Sequence, residues 1–250
     1  MMKLLSTTFL ALAFVMGASG ARAADWYTGS NAPDQGLSFG ASLNTSFSAT
    51  SQGDLDATMI GTIAPFTKIG RGGFRFRLDG QAGDYNYISQ SPGVGKVLGR
   101  EEDGAFLAGW AWVNRRTNIT LYAGPEVRSD SLNKYDPSNA ASPNSAGLQT
   151  SFDVYSNPTR YTMVFGQLSY STVRQAYYSH LKLGLAVAQG VYVGPEALFL
   201  GDDVYRQWRA GVHLTGVSLG SVQFGASGGY LKDQTRGSGG YGILDMRVVF

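Results

Sequence analysis

Along most of this chain, apolar and polar residues alternate one for one. The closing stretch, 239–250, sets Leu244, Met246, Val248 and Phe250 on one face. Tyr241, Ile243, Asp245, Arg247 and Val249 take the other. A period of two is a β-strand. An aromatic terminus on an apolar stripe, opposite a charged face, is how the last strand of an outer-membrane barrel reads: lipid on one side, lumen on the other. Taken alone, an amphipathic edge strand of a soluble sheet would read the same.

The same alternation predicts eleven earlier strands, at about 37–47, 55–65, 74–81, 106–112, 119–128, 148–156, 160–171, 180–187, 191–199, 207–214 and 219–230. On the third, Phe74, Phe76 and Leu78 oppose Arg75, Arg77 and Asp79; on the fifth, Leu121 and Val127 oppose Tyr122, Glu126 and Arg128. On the tenth, Trp208 and Val212 oppose Arg209 and His213. Connections near 66–72, 114–117, 157–159, 189–190 and 215–218 read as short, whereas 88–100 and 131–147 read as long. Short periplasmic turns and long surface loops are a barrel asymmetry, and it places 131–147 outside the cell. The expected fold is all-β: a single transmembrane antiparallel β-barrel of about 12 strands. A soluble sandwich would show fewer strands of this uniform length. Closure follows from the lipid environment, where every backbone polar group must be paired.

Composition changes the picture at the N-terminus. Lys3, an apolar run from Leu4 to Ala18 and the small-x-small sequence Ala21-Arg22-Ala23 read as a signal peptide over 1–23, leaving 24–250 as the barrel domain. Removing Lys3 and Arg22 takes the 20 Lys and Arg to 18, equal to the 18 Asp and Glu. A neutral mature chain gives no reason to expect a nucleic-acid partner. With no Cys, an exported protein must hold itself together by packing or by membrane insertion. No later window is apolar for long enough to form a membrane helix.

Candidate chemistry is sparse. With no Cys and only His180 and His213, a histidine metal cluster is impossible, and no cofactor motif is visible. A lipid-modifying hydrolase would need a serine beside a histidine, but Ser179 and His180 are adjacent on a strand and so point to opposite faces. The inward set is Arg75, Arg77, Asp79, Glu126, Arg128, Asp153, Lys182, Glu196, Arg209, Asp245 and Arg247, with His213 beside it. Both signs are interspersed. Because an unpaired charge in a narrow lumen is costly, these residues are expected to form a paired lumen network. An ion-selective pore would be more lopsided in sign. The inward aromatics are expected to be Tyr122, Tyr161, Phe165, Tyr192 and Tyr241, and Trp110, Trp112 and Trp208 to face lipid as girdle residues. One internal echo pairs Tyr122-Ala123-Gly124-Pro125-Glu126 with Tyr192-Val193-Gly194-Pro195-Glu196. Each proline is expected to mark a bulge or kink.

Several long strings carry a family resemblance: Met59-Ile60-Gly61-Thr62-Ile63-Ala64-Pro65-Phe66, Arg75-Phe76-Arg77-Leu78-Asp79-Gly80, Tyr122-Ala123-Gly124-Pro125-Glu126-Val127-Arg128, Tyr192 to Ala197, Gln207-Trp208-Arg209-Ala210-Gly211-Val212-His213, Gln223-Phe224-Gly225 and Gly240 to Asp245. In this order they resemble the cellulose biosynthesis protein BcsS family over essentially the whole mature chain. The resemblance implies an exported α-proteobacterial protein, encoded with cellulose synthase components and sitting in the outer membrane. It carries over no active site.

The function it implies is accessory: supporting export, anchoring or assembly of cellulose at the cell surface. Partners would be outer-membrane lipid, the outer-membrane assembly machinery reading the Phe250 stripe, and cellulose or components of its synthase complex. A small-solute porin, a surface-binding or adhesion barrel and a lipid-modifying enzyme are the alternatives.

Overall fold

The computed structural model describes residues 39–139 and 143–250. The expected signal peptide and the first residues of the expected first strand lie outside them. Twelve strands succeed one another: β1 Gly40–Thr50, β2 Leu55–Ala64, β3 Gly73–Ile88, β4 Lys96–Val113, β5 Thr117–Leu132, β6 Asn144–Ser156, β7 Thr162–Ser171, β8 Tyr177–Ala188, β9 Val191–Gly201, β10 Arg206–Leu219, β11 Val222–Asp233 and β12 Gly237–Val249. Each pairs antiparallel with its neighbours, and β1 closes on β12 from Ser42↔Val249 to Thr50↔Tyr241. The result is a closed transmembrane β-barrel with no free edge. An even number of strands brings the chain in at β1 and out at β12 on one end, here called proximal; the opposite end is distal.

Alternation decides which way each side chain points. Phe47, Phe106, Leu121, Leu185, Val212 and Leu244 are exposed on the outer wall, as lipid-facing residues must be. Trp110 and Trp112 lie outward near the proximal end of β4. Trp208 lies outward at the distal start of β10, its ring 5.5 Å from that of Tyr230. The outward tryptophans therefore mark both rims. The lumen is packed as well as charged. Tyr155, Met163, Phe165 and Tyr192 form one buried cluster, and Leu198, Leu231, Tyr241 and Ile243 another.

Several boundaries differ from the expected ones, three of them in ways that bear on the site. The expected 88–100 loop is mostly strand, because β3 runs on to Ile88 and β4 begins at Lys96. Outward positions there are Asp84, Asn86, Ile88, Lys96, Leu98, Arg100 and Glu102, so polar residues interrupt the apolar half of the alternation. β5 and β6 extend likewise, leaving 133–143 as the connection. In β10, Gly216 at φ +93° makes a bulge inside the strand, shifting the pairing between Thr215 and Val217, and the turn falls later, at 220–221. Distal turns 51–54 and 234–236 are as short as proximal ones. Asymmetry between the ends thus comes from long strands β3 to β5 more than from long loops.

A bulge or kink is expected beside each proline; neither ladder shifts register at its proline, and β8–β9 shifts only farther on, between Ala186 and Ala188. Pairing of β4 with β5 stops at Ala105↔Glu126 and resumes in the same register at Ala108↔Ala123. That of β8 with β9 stops at Lys182↔Glu196 and resumes at Leu185↔Val193. Each Gly-Pro pair opens a gap in the ladder without moving it, because proline offers no N–H.

Candidate functional site

The lumen is the candidate site, and two charge clusters occupy it. On β3 the alternation turns Arg77 and Asp79 inward. Arg77 is 3% exposed; its Nε donates to Asp79 at 2.5 Å, and one Nη donates to Asp153 at 2.9 Å and to Ser151 at 3.2 Å. Its guanidinium also sits 5.2 Å from the centre of the Tyr122 ring. One cation thus ties β3 to β5 and β6.

The second cluster centres on Glu196, 4% exposed on β9. Tyr241 Oη donates to it at 2.6 Å, His180 Nε2 lies at 3.0 Å and Lys182 Nζ at 3.9 Å. Lys182 also reaches Asp245 at 2.8 Å, which joins β8 to β12 across the barrel. Arg209 donates to Gln207 at 2.6 Å and to Ser48 at 2.8 Å, with Tyr241 below it at 5.5 Å.

An inward-folded connection stands at one mouth and ion pairs at the other. At the proximal end the connection 65–72 folds inward, burying Ile69, and Arg75 holds it by donating to the carbonyls of Lys68, Ile69 and Arg71. At the distal end Arg236 grips Asp54 through two hydrogen bonds of 2.5 and 2.6 Å, and Asp233 at 2.7 Å. Tyr205 donates to the same Asp233 at 2.6 Å. Across the mouth, Arg174 reaches Asp202 at 2.8 Å, Asp203 at 3.4 Å and Asp130 at 3.8 Å. Arg174 and Gln175 have φ of 54° and 53°, the two non-glycine residues with left-handed backbone among those described. Such strain persists only where surroundings over-determine it, and the Arg174 ion pairs are those surroundings. Between the mouths a cavity of about 260 Å³ remains. Ser42, Asn44, Thr58, Thr62, Tyr122 and Tyr178 are among the residues that line it.

The expected lumen residues meet in several groups of close contacts. Arg77 and Asp79 meet each other and Asp153. Glu196 meets Lys182, and Lys182 meets Asp245. Arg128 pairs with Glu101 near the distal mouth, apart from both clusters. Arg75 and Arg209 make no ion pair among the described residues; carbonyls, an amide and a hydroxyl satisfy them instead. Glu126 accepts from Ser171. His213 lies 2.9 Å from Thr215 Oγ1, and its Nε2 donates to Leu183 O at 3.1 Å. That carbonyl faces Pro195, so the histidine replaces the N–H the proline lacks. Arg247 is buried on the cavity wall.

Tyr161 is not inward: it lies exposed in the 157–161 turn, because β7 starts only at Thr162. Tyr155 and Tyr178 are inward aromatics that the sequence pattern did not single out, although each sits two residues from an expected inward position. The distal carboxylates Asp54, Asp130, Asp202 and Asp233 and their cations Arg174 and Arg236 escaped it as well. They fall in turns or at strand ends, where alternation carries no signal. His180 is held by Glu196 and by the Tyr178 hydroxyl at 3.1 Å. No group of three or more His, Asp or Glu placed to hold a metal occurs among the described residues.

A family model described as cellulose biosynthesis protein BcsS matches residues 35–250. No curated protein matches. Among solved structures, a KdgM porin is 10% identical, with 84% of this chain and 99% of that chain covered at a TM-score of 0.45. The β domain of the Bordetella autotransporter BrkA is 13% identical, with 85% and 98% covered at 0.39. OprB from Pseudomonas putida is 8% identical, with 85% and 92% covered at 0.35.

Proposed function

Because the chain belongs to the cellulose biosynthesis protein BcsS family, we propose that it is a non-catalytic outer-membrane accessory of cellulose biosynthesis, supporting export, anchoring or assembly of the polymer at the cell surface. In this reading residues 1–23 are a cleaved signal peptide, the termini face the periplasm and the distal mouth faces outward. The polymer does not pass through the barrel. One observation carries that last point: buried ion pairs and aromatic clusters cross the lumen at several levels, and the remaining cavity of about 260 Å³ is smaller than a pocket for a drug-sized ligand.

Two measurements test the reading. Deleting the gene should remove cellulose from the cell surface while synthase activity in isolated inner membranes persists. The purified protein in a planar bilayer should show no large, steady conductance. Wild-type surface cellulose in the deletion strain would overturn the cellulose role. A large single-channel conductance in the unmutated protein would reinstate the porin reading.

A further inference from the structure

The distal rim is uneven. Pairing of β2 with β3 ends at Leu55↔Asp84, yet β3, β4 and β5 continue together through Tyr85↔Gly99, Tyr87↔Val97 and Gly99↔Leu132. A three-stranded ledge therefore stands above the mouth. Its outward face carries Lys96 and the exposed pair Arg100–Glu102 at 2.8 Å, which belongs in water. Its inner face carries Tyr85 and Tyr87. These rings lie nearly parallel, 19° apart with centroids 6.3 Å from each other, and both are half-buried.

The ring pair is built and held in place. Tyr85 lies across Gly99, where a Cβ would stand 2.2 Å from the ring carbon Cζ; only glycine lets the ring lie flat on the sheet. Tyr87 Oη donates to Asp136 at 2.9 Å and accepts from Asn139 at 3.1 Å. Asp136 in turn accepts from Ser89 at 2.7 Å, so loop and hairpin fix the second ring together. Near Tyr85 stand Glu101, Asp130 and Arg174, and Arg128 joins them through ion pairs. The pairing ties up both arginines and, with Asp202, Asp203 and Asp136 alongside, leaves carboxylates in excess, which disfavours an anionic ligand. It still leaves carboxylate oxygens and guanidinium N–H groups at the edge of a flat aromatic surface. Arg174 belongs to the left-handed segment, and backbone strain of that kind clusters at functional sites.

Flat apolar faces edged with fixed polar groups match one chemistry well. A β-1,4-linked glucan has equatorial substituents throughout, so each pyranose offers a flat C–H face and hydroxyls around its rim. An α-linked glucan curves away from such a surface. We infer that the Tyr85–Tyr87 ledge is a binding platform for a segment of β-1,4-glucan emerging at the cell surface. The inference rests on the proposed role in cellulose biosynthesis and adds the site at which the polymer is met.

The test uses the full-length protein in detergent or nanodiscs, with cellohexaose as probe and maltohexaose as control. Calorimetry should show binding of cellohexaose in preference to maltohexaose. Tyr85→Ala should weaken it by about tenfold, the size of one aromatic contact, and Tyr85→Phe should retain it. Absence of cellohexaose binding by the wild type, or equal binding by Tyr85→Ala, overturns the platform. If Tyr85→Ala does not fold, nitration of the wild type decides. Protection of Tyr85 by cellohexaose supports the site, and unchanged nitration removes it. Failure here with a cellulose-defective deletion strain sinks the platform alone. Cellohexaose binding in a protein whose deletion leaves surface cellulose intact sinks the proposed function instead.

Discussion

Strands β5 and β9 share a Tyr-x-Gly-Pro-Glu string, at Tyr122 and Tyr192, and end in different company. In both, Tyr and Glu turn inward, and the intervening Gly-Pro opens a gap in the ladder with the strand before it. In both, the glycine lets a neighbouring carbonyl come close. A Cβ on Gly124 would stand 2.0 Å from Phe106 O, and one on Gly194 would stand 1.9 Å from Leu183 O. Beyond that point they part. Glu196 has Lys182 directly opposite on β8 and gathers His180 and Tyr241. Glu126 faces Ala105 and Gly147 and reaches Ser171 instead. Tyr122 lies beneath Arg77, whereas Tyr192 packs among Tyr155, Met163 and Phe165. A local motif sets its own backbone; the strands beside it choose its partners.

The largest test of this difference is to remove each carboxylate. Glu196→Ala leaves Tyr241 and His180 without their acceptor and should destabilise the barrel by about 3–5 kcal/mol, the range for a broken buried pair. Glu126→Ala loses one acceptor of the Ser171 hydroxyl and should cost about 1–2 kcal/mol. The temperature at which the folded band disappears on a gel reads both. Equal losses would break the contrast.

Gly124→Ala and Gly194→Ala probe the shared half. Each adds a methyl against a backbone carbonyl and should cost about 1–3 kcal/mol, seen as reduced assembly in the membrane. The two losses should be alike, because the geometry belongs to the motif. A tolerated substitution at one site alone would show that surroundings set the backbone too.

A smaller effect separates the two ladder gaps. His213→Ala leaves the Leu183 carbonyl without its donor and should cost about 1 kcal/mol. Hydrogen exchange should rise around β8 and β9, while β4 and β5 keep their wild-type rates. Acceleration at both would mean that the gaps are coupled.

The smallest effect lies just past the end of β5. That strand runs into the 133–143 connection, whereas β9 ends in the tight 202–205 turn. Burial raises the Asp136 pKa, but hydrogen bonds from Ser89, Ser138 and Tyr87 outweigh it and hold the carboxyl well below its usual 3.8. A depressed carboxylate stabilises the fold fully above its unfolded value and loses that contribution as pH falls through the folded one. The connection should therefore resist an acid protease unchanged from pH 7 to about pH 4 and open only in stronger acid. Opening near pH 6 would mean that Asp136 is not its anchor.

Strand number, direction and closure were legible in the sequence because lipid and lumen demand opposite chemistry on alternate residues. Phe74, Phe76 and Leu78 against Arg75, Arg77 and Asp79 could be assigned to faces without any coordinates. Where the wall rises above lipid, as at Asp84 to Ile88, that demand ends, and the pattern falls silent although the strand continues. Facing is also a weaker statement than pairing. Periodicity turns Arg75 and Arg77 the same way, yet Arg77 finds two carboxylates and Arg75 finds the carbonyls of a turn folded back beneath it. The distal clamps of Arg174 and Arg236 join residues from separate turns, and the ledge depends on how far three strands outrun a fourth. Alternation is a property of one strand and was decided by sequence alone. Partners depend on register, strand length and the path of turns around a closed wall, and only the folded barrel decides those.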